Sequence, residues 1–479
     1  MRSILALVMI ALSVLVLEYA RSGVDITRFN VGQTPVTSYA RAGADGPVVV
    51  VAHGFAGSEQ MMQGYALPLA QAGYRVFVFE FLGHGRHRVP MSGDVSAVDG
   101  TTRLLVEQTT AVIDAVADAG LPVALIGHSM ATDVLARVAA ENSGQTGPMV
   151  LISAFSQVID ATTPATLLLV AGDWEPRLKA YALEAAQMVD PAARMGDTAR
   201  GGDTLRRAVA APFSDHVSIL HSRTARAEAR AWLDQAYGRT STGAMLPTGW
   251  AILGLLFGLV LVFRRVAQIL PQQPVPHVRL GPWQWALLLT TPAVLAPLVA
   301  VPLNPGFLPV LVADYLGLHL LVYGLAQLAL LRLWRVPLGG LHWAALALLL
   351  VWCALFGFAL NRYAANFMPT PERLWIIAVM LAGTLPYMLA DAALTAQSGW
   401  RIRLAVRAGL LVSLGLAVAL DFEGLFFLLL IAPVLVLFYL VFGTMGRDAA
   451  RRGGPLAAGL ALGLVLAWAL GVSFPLFQA

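Results

Sequence analysis

The sequence predicts an α/β domain with a mostly parallel sheet, followed by an all-helical membrane domain of about eight spans. Three observations lead there. Composition changes near residue 245; before it, short apolar runs alternate with helical patterns; after it, runs of roughly 17–25 apolar residues repeat. Over its 479 residues the chain is 58% apolar and 13% charged, outside the range of soluble globular proteins, yet residues 23–240 alone have an ordinary composition. The organisation expected is therefore an anchor at 1–22, an α/β domain at 23–240 and a polytopic membrane domain at 241–479.

At the amino end, residues 4–17 form an apolar run, with Glu18 and Arg21 just beyond it. Cleavage after Ala20 would need a small residue where Glu18 stands, so the run reads as an uncleaved signal anchor. The next segments read as buried strands: Val48–Ala52, 75–81, 123–126, 149–153 and 167–171. Helical patterns at 59–72, 101–119, 130–140 and 176–189 lie between or beyond them. Strands alternating with helices call for a sheet covered on both faces.

Three of these strands end in distinctive turns. The first runs into His53-Gly54-Phe55-Ala56-Gly57-Ser58. The second is followed by Leu82-Gly83-His84-Gly85-Arg86, and the third by Gly127-His128-Ser129-Met130-Ala131 and a helix. A serine on a tight strand-to-helix turn, with a small residue two positions to either side, is the nucleophile elbow; here alanine replaces the second glycine.

These three motifs, in this order, resemble the α/β-hydrolase superfamily over residues 25–240. The resemblance implies a triad in chain order serine, acid, histidine, with Ser129 as nucleophile. The acid should follow strand 167–171, where the text is Gly172-Asp173-Trp174-Glu175-Pro176. The family's usual Gly-x-x-Asp spacing falls on Glu175, and Asp173 is the alternative. The histidine should lie between the last strand and the final helix, where His216 fits and His221, read as part of that helix, is the weaker choice. Such a triad makes a hydroxyl nucleophilic by giving its proton a destination. The oxyanion donors implied are the backbone N–H groups of Phe55 and Met130. His53, His84 and His128 read as loop-shaping hydrogen bonders and Asp215 as a loop cap. No metal and no cofactor is expected. The link 153–166 is too short for a helical cap, so the serine should be open to chain-like or membrane-delivered substrates. The glycine-rich stretch 194–203 reads as a flexible rim.

Beyond the polar linker 238–243, the expected spans are 246–263, 283–303, 307–331, 341–360, 374–394, 404–420, 424–442 and 456–476. With the amino end inside, alternation puts Arg264, Arg265, Arg279, Arg332, Arg335, Arg401, Arg403, Arg407, Arg447, Arg451 and Arg452 on the cytoplasmic side. Only Arg362 and Arg373 fall in short outer links. Eleven against two places the α/β domain in the periplasm or outside the cell, on the inner membrane of a bacterial-type cell.

Within the spans, Tyr315, His319 and Tyr323 share a helix face and read as interhelical hydrogen bonders or a polar lining; Asp314 points elsewhere, and Asp391 is expected to reach water. Pro292, Pro297, Pro386 and Pro433 suggest kinks. The single cysteine, Cys353, lies in a span, which excludes disulfides and multi-thiolate sites within one chain. The net charge of +4 comes from the arginine-bearing links and gives no reason to expect nucleic acid.

The function expected is that of a membrane-anchored serine hydrolase acting on ester-type, acyl or lipid-like bonds, with the bilayer as its partner and the oligomeric state left open. Rival readings are a transporter or sensor with a non-catalytic, ligand-binding domain, and an acyltransferase.

Overall fold

The computed structural model describes residues 2–94, 98–275 and 278–478. Helix α1 (Arg2–Arg21) leads into nine strands: β1 (Asp25–Val31), β2 (Thr34–Ala40), β3 (Val48–Ala52), β4 (Arg75–Phe79), β5 (Val123–His128), β6 (Thr146–Ile152), β7 (Thr166–Gly172), β8 (Thr198–Gly201) and β9 (Thr204–Ala211). They form one sheet in the order β1-β2-β4-β3-β5-β6-β7-β9-β8. The six strands from β4 to β9 in that order are parallel, while β1, β2 and β8 pair antiparallel at the two margins. Strand β3 shows why the centre reads as an unbroken apolar run. Val48, Val50 and Ala52 enter the core on one face of the sheet, and Val49 and Val51 enter the core on the other.

Helices α2 (Gln63–Gln71) and α6 (Arg223–Ala236) pack on one face. On the other lie α3 (Arg103–Val116), α4 (Met130–Glu141) and α5 (Pro176–Gln187). The domain is an α/β-hydrolase fold. Two expectations change here. The stretch 194–203 carries β8, which pairs with β9 as an edge hairpin and so is not a loose rim. His221 lies in a short turn, Ser218–His221, ahead of α6 and outside it.

Eight long helices follow: α7 (Thr248–Val266), α8 (Pro282–Leu303), α9 (Ala313–Leu333), α10 (Trp343–Tyr363), α11 (Pro371–Thr395) and α12 (Trp400–Leu420). A single turn, α13 (Phe422–Leu425), precedes α14 (Leu428–Gly453) and α15 (Pro455–Ser473). Together with α1, nine helices among the described residues are long and apolar enough to cross a membrane. Pro292, Pro297, Pro386 and Pro433 all lie inside these helices. At the centre α11 meets α9 and α15 at close range because small residues face it. A side chain at Gly324 would collide with the Tyr387 backbone, and one at Gly463 would come within 2.9 Å of Leu385 Cα.

Several polar groups inside the helices bond to one another. Tyr315 and His319 are hydrogen-bonded at 2.8 Å, and Ser413 reaches both His319 Nε2 at 2.9 Å and the Ala293 carbonyl at 2.9 Å, which ties α9, α12 and α8 together. Asp314 accepts from the Leu308 N–H at 2.9 Å. Asp391, expected to reach water, is instead 1% exposed and takes a two-pronged bond from Arg407 on α12, both contacts at 3.1 Å. The arginine arrives from the neighbouring helix, so position along α11 alone could not reveal it. Removing one member of an enclosed ion pair strands the other charge. Asp391→Ala should therefore destabilise the helical domain by about 3–5 kcal/mol, with Asp391→Leu/Arg407→Leu recovering much of the loss. Thermal melting of the detergent-solubilised chain measures both.

The two domains are fastened at several places. Linker residue Ser241 bonds Asp234 through its N–H at 3.0 Å and its hydroxyl at 2.8 Å, and Arg226 donates to Thr248 Oγ1 at 3.0 Å. Arg362 holds Glu18 of α1 through contacts of 2.7 and 2.8 Å. Thus Arg362, one of the two arginines counted as exceptions to the charge rule, is committed to a protein carboxylate. The other, Arg373, lies buried within α11.

Candidate active site

Strand β5 delivers Ser129 onto a turn with φ 54° and ψ −118°, a conformation L side chains seldom adopt, and α4 begins at the next residue. The turn tolerates nothing large beside it: a Cβ at Gly127 would lie 2.7 Å from Leu135 Cδ1, and Ala131 is fully buried. The Ser129 N–H donates to the Ile152 carbonyl at 3.0 Å, which fixes the turn to the end of β6.

His216 Nε2 lies 2.8 Å from Ser129 Oγ, and its Nδ1 lies 2.6 Å from Glu175 Oε1. The other carboxylate oxygen, Oε2, accepts from the Gly172 N–H at 2.8 Å and from Ser153 Oγ at 2.7 Å. Burial works against the charge on Glu175, but these bonds from His216, Ser153 and Gly172 hold its carboxyl below the ordinary glutamate range. Asp173 is turned away. It is 42% exposed and pairs with Lys179 at 3.2 Å, whereas the Glu175 side chain is 7% exposed. Of the two acids offered by the sequence, the structure brings Glu175 to the histidine.

His128 Nε2 donates to the His216 carbonyl at 2.8 Å, bracing the loop that carries the imidazole. Burial, with His216 nearby, pushes the His128 imidazole down to about 4, which keeps it neutral. Asp215 accepts from the Val217 and Ser218 N–H groups at 3.0 and 2.7 Å, the capping role expected of it. His221 packs against Gly249 at the start of α7, and the imidazole bonded to the serine is that of His216. Ser153 was not anticipated. Its position straight after a buried strand, like that of Ser129, was the only available signal.

The loop after β3 closes the site from the other side. A Cβ at Gly54 would lie 3.0 Å from Ser129 Cβ, so only glycine lets this loop approach the nucleophile so closely. Phe55, one expected oxyanion donor, follows Gly54 directly, and Met130, the other, follows Ser129 and opens α4. Beneath this loop His53 Nε2 lies 3.3 Å from Glu80 Oε2, and Arg86 reaches Glu59 at 2.7 Å. Burial opposes the Glu80 charge, yet His53 and Arg86 hold its carboxyl below its ordinary value. His84 Nδ1 donates to the Leu82 carbonyl at 2.8 Å, and burial pushes this imidazole well below its usual range. All three histidines shape loops.

Large apolar side chains stand exposed on the loops that carry or flank the triad. Phe155 follows β6, Trp174 adjoins Glu175, and Phe213 and Val217 bracket His216; they are 58, 64, 83 and 57% exposed. Phe213 is held in the left-handed region at φ 52°.

Residues 44–198 match the family described as "Serine aminopeptidase, S33". No curated protein matches the chain. Among solved structures, one described as a predicted CIB-like hydrolase from Thermoplasma acidophilum is similar at 14% identity and a TM-score of 0.35, over 44% of this chain and 98% of that one. A dienelactone hydrolase from Anabaena variabilis is similar at 17% identity and a TM-score of 0.35, over 46% and 98%. An epoxide hydrolase from Vigna radiata is similar at 22% identity and a TM-score of 0.23, over 28% of this chain and 39% of its own length.

Proposed function

We propose that the chain is a membrane-anchored serine hydrolase that cleaves ester-type bonds of acyl or lipid-like substrates on the non-cytoplasmic side. The observation that carries this reading is the continuous bond from Ser129 Oγ to His216 Nε2 and from His216 Nδ1 to Glu175, at 2.8 and 2.6 Å. His216 takes the Ser129 proton as the oxygen attacks the ester carbonyl. The tetrahedral oxyanion is held by the Phe55 and Met130 N–H groups. His216 then protonates the departing alkoxide, leaving an acyl-serine that a water, deprotonated by the same imidazole, releases as the acid.

The anchoring rests on the nine membrane-length helices among the described residues, α1 among them and bonded through Glu18 to Arg362. The orientation rests on the arginine count, in which the two exceptions, Arg362 and Arg373, each have a protein partner. A fluorophosphonate probe should label the purified chain at Ser129 and spare Ser129→Ala; equal labelling of both would remove the nucleophile and the proposal with it.

The apolar rim favours acyl chains over the charged terminus that an aminopeptidase would grip. Phe213→Ser and Trp174→Ser together should raise KM for a long-chain ester about tenfold, the effect of losing two apolar contacts, and leave a two-carbon ester within about twofold. Initial-rate kinetics on the two esters, run beside aminoacyl amides, separates these substrate classes.

A further inference from the structure

We infer that the helical domain holds the loops that flank the nucleophile in working geometry, and that Arg373 on α11 is the positioning residue through which it does so. The inference rests on the serine-hydrolase reading above.

Arg373 is 1% exposed and no carboxylate forms an ion pair with it among the described residues. Its donors go instead to three backbone carbonyls. Nη2 donates to Gly83 of the α/β domain at 2.7 Å, while Nη1 donates to Phe474 at 2.6 Å and Gly471 at 3.1 Å, both at the end of α15. Enclosing a guanidinium without a carboxylate in contact is costly, and a planar fork that reaches several acceptors at once is what this arrangement needs from arginine. The Gly83 carbonyl also accepts from the Leu476 N–H at 2.9 Å, and the Met91 N–H donates to the Leu476 carbonyl at 2.8 Å. Gly83 has φ 70°, and a side chain there would collide with the Leu476 backbone.

The grip passes from Gly83 to the oxyanion loop through packed rings. The His84 ring lies 5.1 Å from His53 and 5.8 Å from Phe55. The helical domain also touches that loop directly. The Asn366 N–H donates to Ser58 Oγ at 3.0 Å, and the Phe55 ring lies 6.0 Å from Phe427 and 6.3 Å from Phe477. Between these contacts is a cavity of about 70 Å³, into which Arg373 Nε, His84 Nε2 and Asn366 Oδ1 bring buried polar atoms that have no protein partner. With His84 Nδ1 donating to Leu82, the cavity offers one donor and two acceptors, the complement of an ordered water that would extend the same link.

An oxyanion donor acts only in the transition state, so displacing Phe55 should lower kcat and spare KM. In the full-length chain, Arg373→Met should reduce kcat per titrated active site about 10–100-fold with KM within about threefold, and slow fluorophosphonate labelling of Ser129 in parallel. Arg373→Lys, which keeps the charge but not the fork, should stay impaired. A merely structural role would lower the number of titratable sites and leave the rate of each unchanged. Phe477→Ala, which trims a ring against Phe55 without touching the buried charge, should slow labelling in the same direction and keeps the test intact if Arg373→Met does not fold. Wild-type labelling rates in Phe477→Ala and in whichever Arg373 variants fold would overturn the inference. Failure of the wild type itself to label would instead overturn the hydrolase reading.

Discussion

Ser129→Ala should lower turnover of an activated ester by on the order of 10⁵-fold, with KM moved by less than about threefold. A methyl group cannot attack, and what remains is the oxyanion hole with a poorly placed water. The fold should survive, because the bond that sets the turn comes from the Ser129 backbone N–H to Ile152, and Ala131 and Gly127 keep their close packing. An unchanged melting temperature with turnover reduced to background is the expected pair of results. Residual turnover within tenfold of the wild type would place the chemistry elsewhere.

Glu175→Gln should lower kcat about 10⁴-fold, while Asp173→Asn should leave it within about twofold. The glutamine oxygen can still accept from the Gly172 N–H and Ser153 hydroxyl, so the loop keeps its shape. Its amide then faces His216 Nδ1 with a donor, which forces the imidazole proton onto Nε2 and leaves no acceptor for the serine proton. Asp173 faces Lys179 at a partly exposed position, where screening makes an ion pair nearly neutral to remove. Steady-state rates of the two variants, compared on one ester, decide which carboxylate orients the histidine.

Much of this site could be read from the residue text because its parts are local. The strand-turn-helix around Ser129, the glycine of the first loop and the spacing from Gly172 to Glu175 are short-range patterns. Five of the six parallel strands were equally plain, since residues buried on both faces leave unbroken apolar runs such as Val48–Ala52, whereas β9, TLRRAVAA, is interrupted by two arginines and was not. The marginal strands were not. In β1 the side chains are mostly exposed or half-buried, and β2, TPVTSYA, mixes polar residues into a buried strand, so neither carries that run. The partners of Asp391 and Arg373 were invisible for a different reason. Each is met by groups from helices or loops remote in the chain, and no periodicity within α11 encodes what lies across from it. Ser153 escaped notice in the same way, since its contact with Glu175 spans two strand ends.

The packing of α1 along α7 has a mechanical consequence. A side chain at Gly254 would crowd Ser13, and one at Gly258 would crowd Ile10, so the chain enters and leaves the α/β domain through two helices that lie side by side. A body hung from paired stalks can swing about the line joining them but cannot spin or drift outward. Any swing must first part further contacts between the two parts, among them those of Gly83 and Met91 with Leu476. Ser129 is consequently held at one fixed distance from the helices.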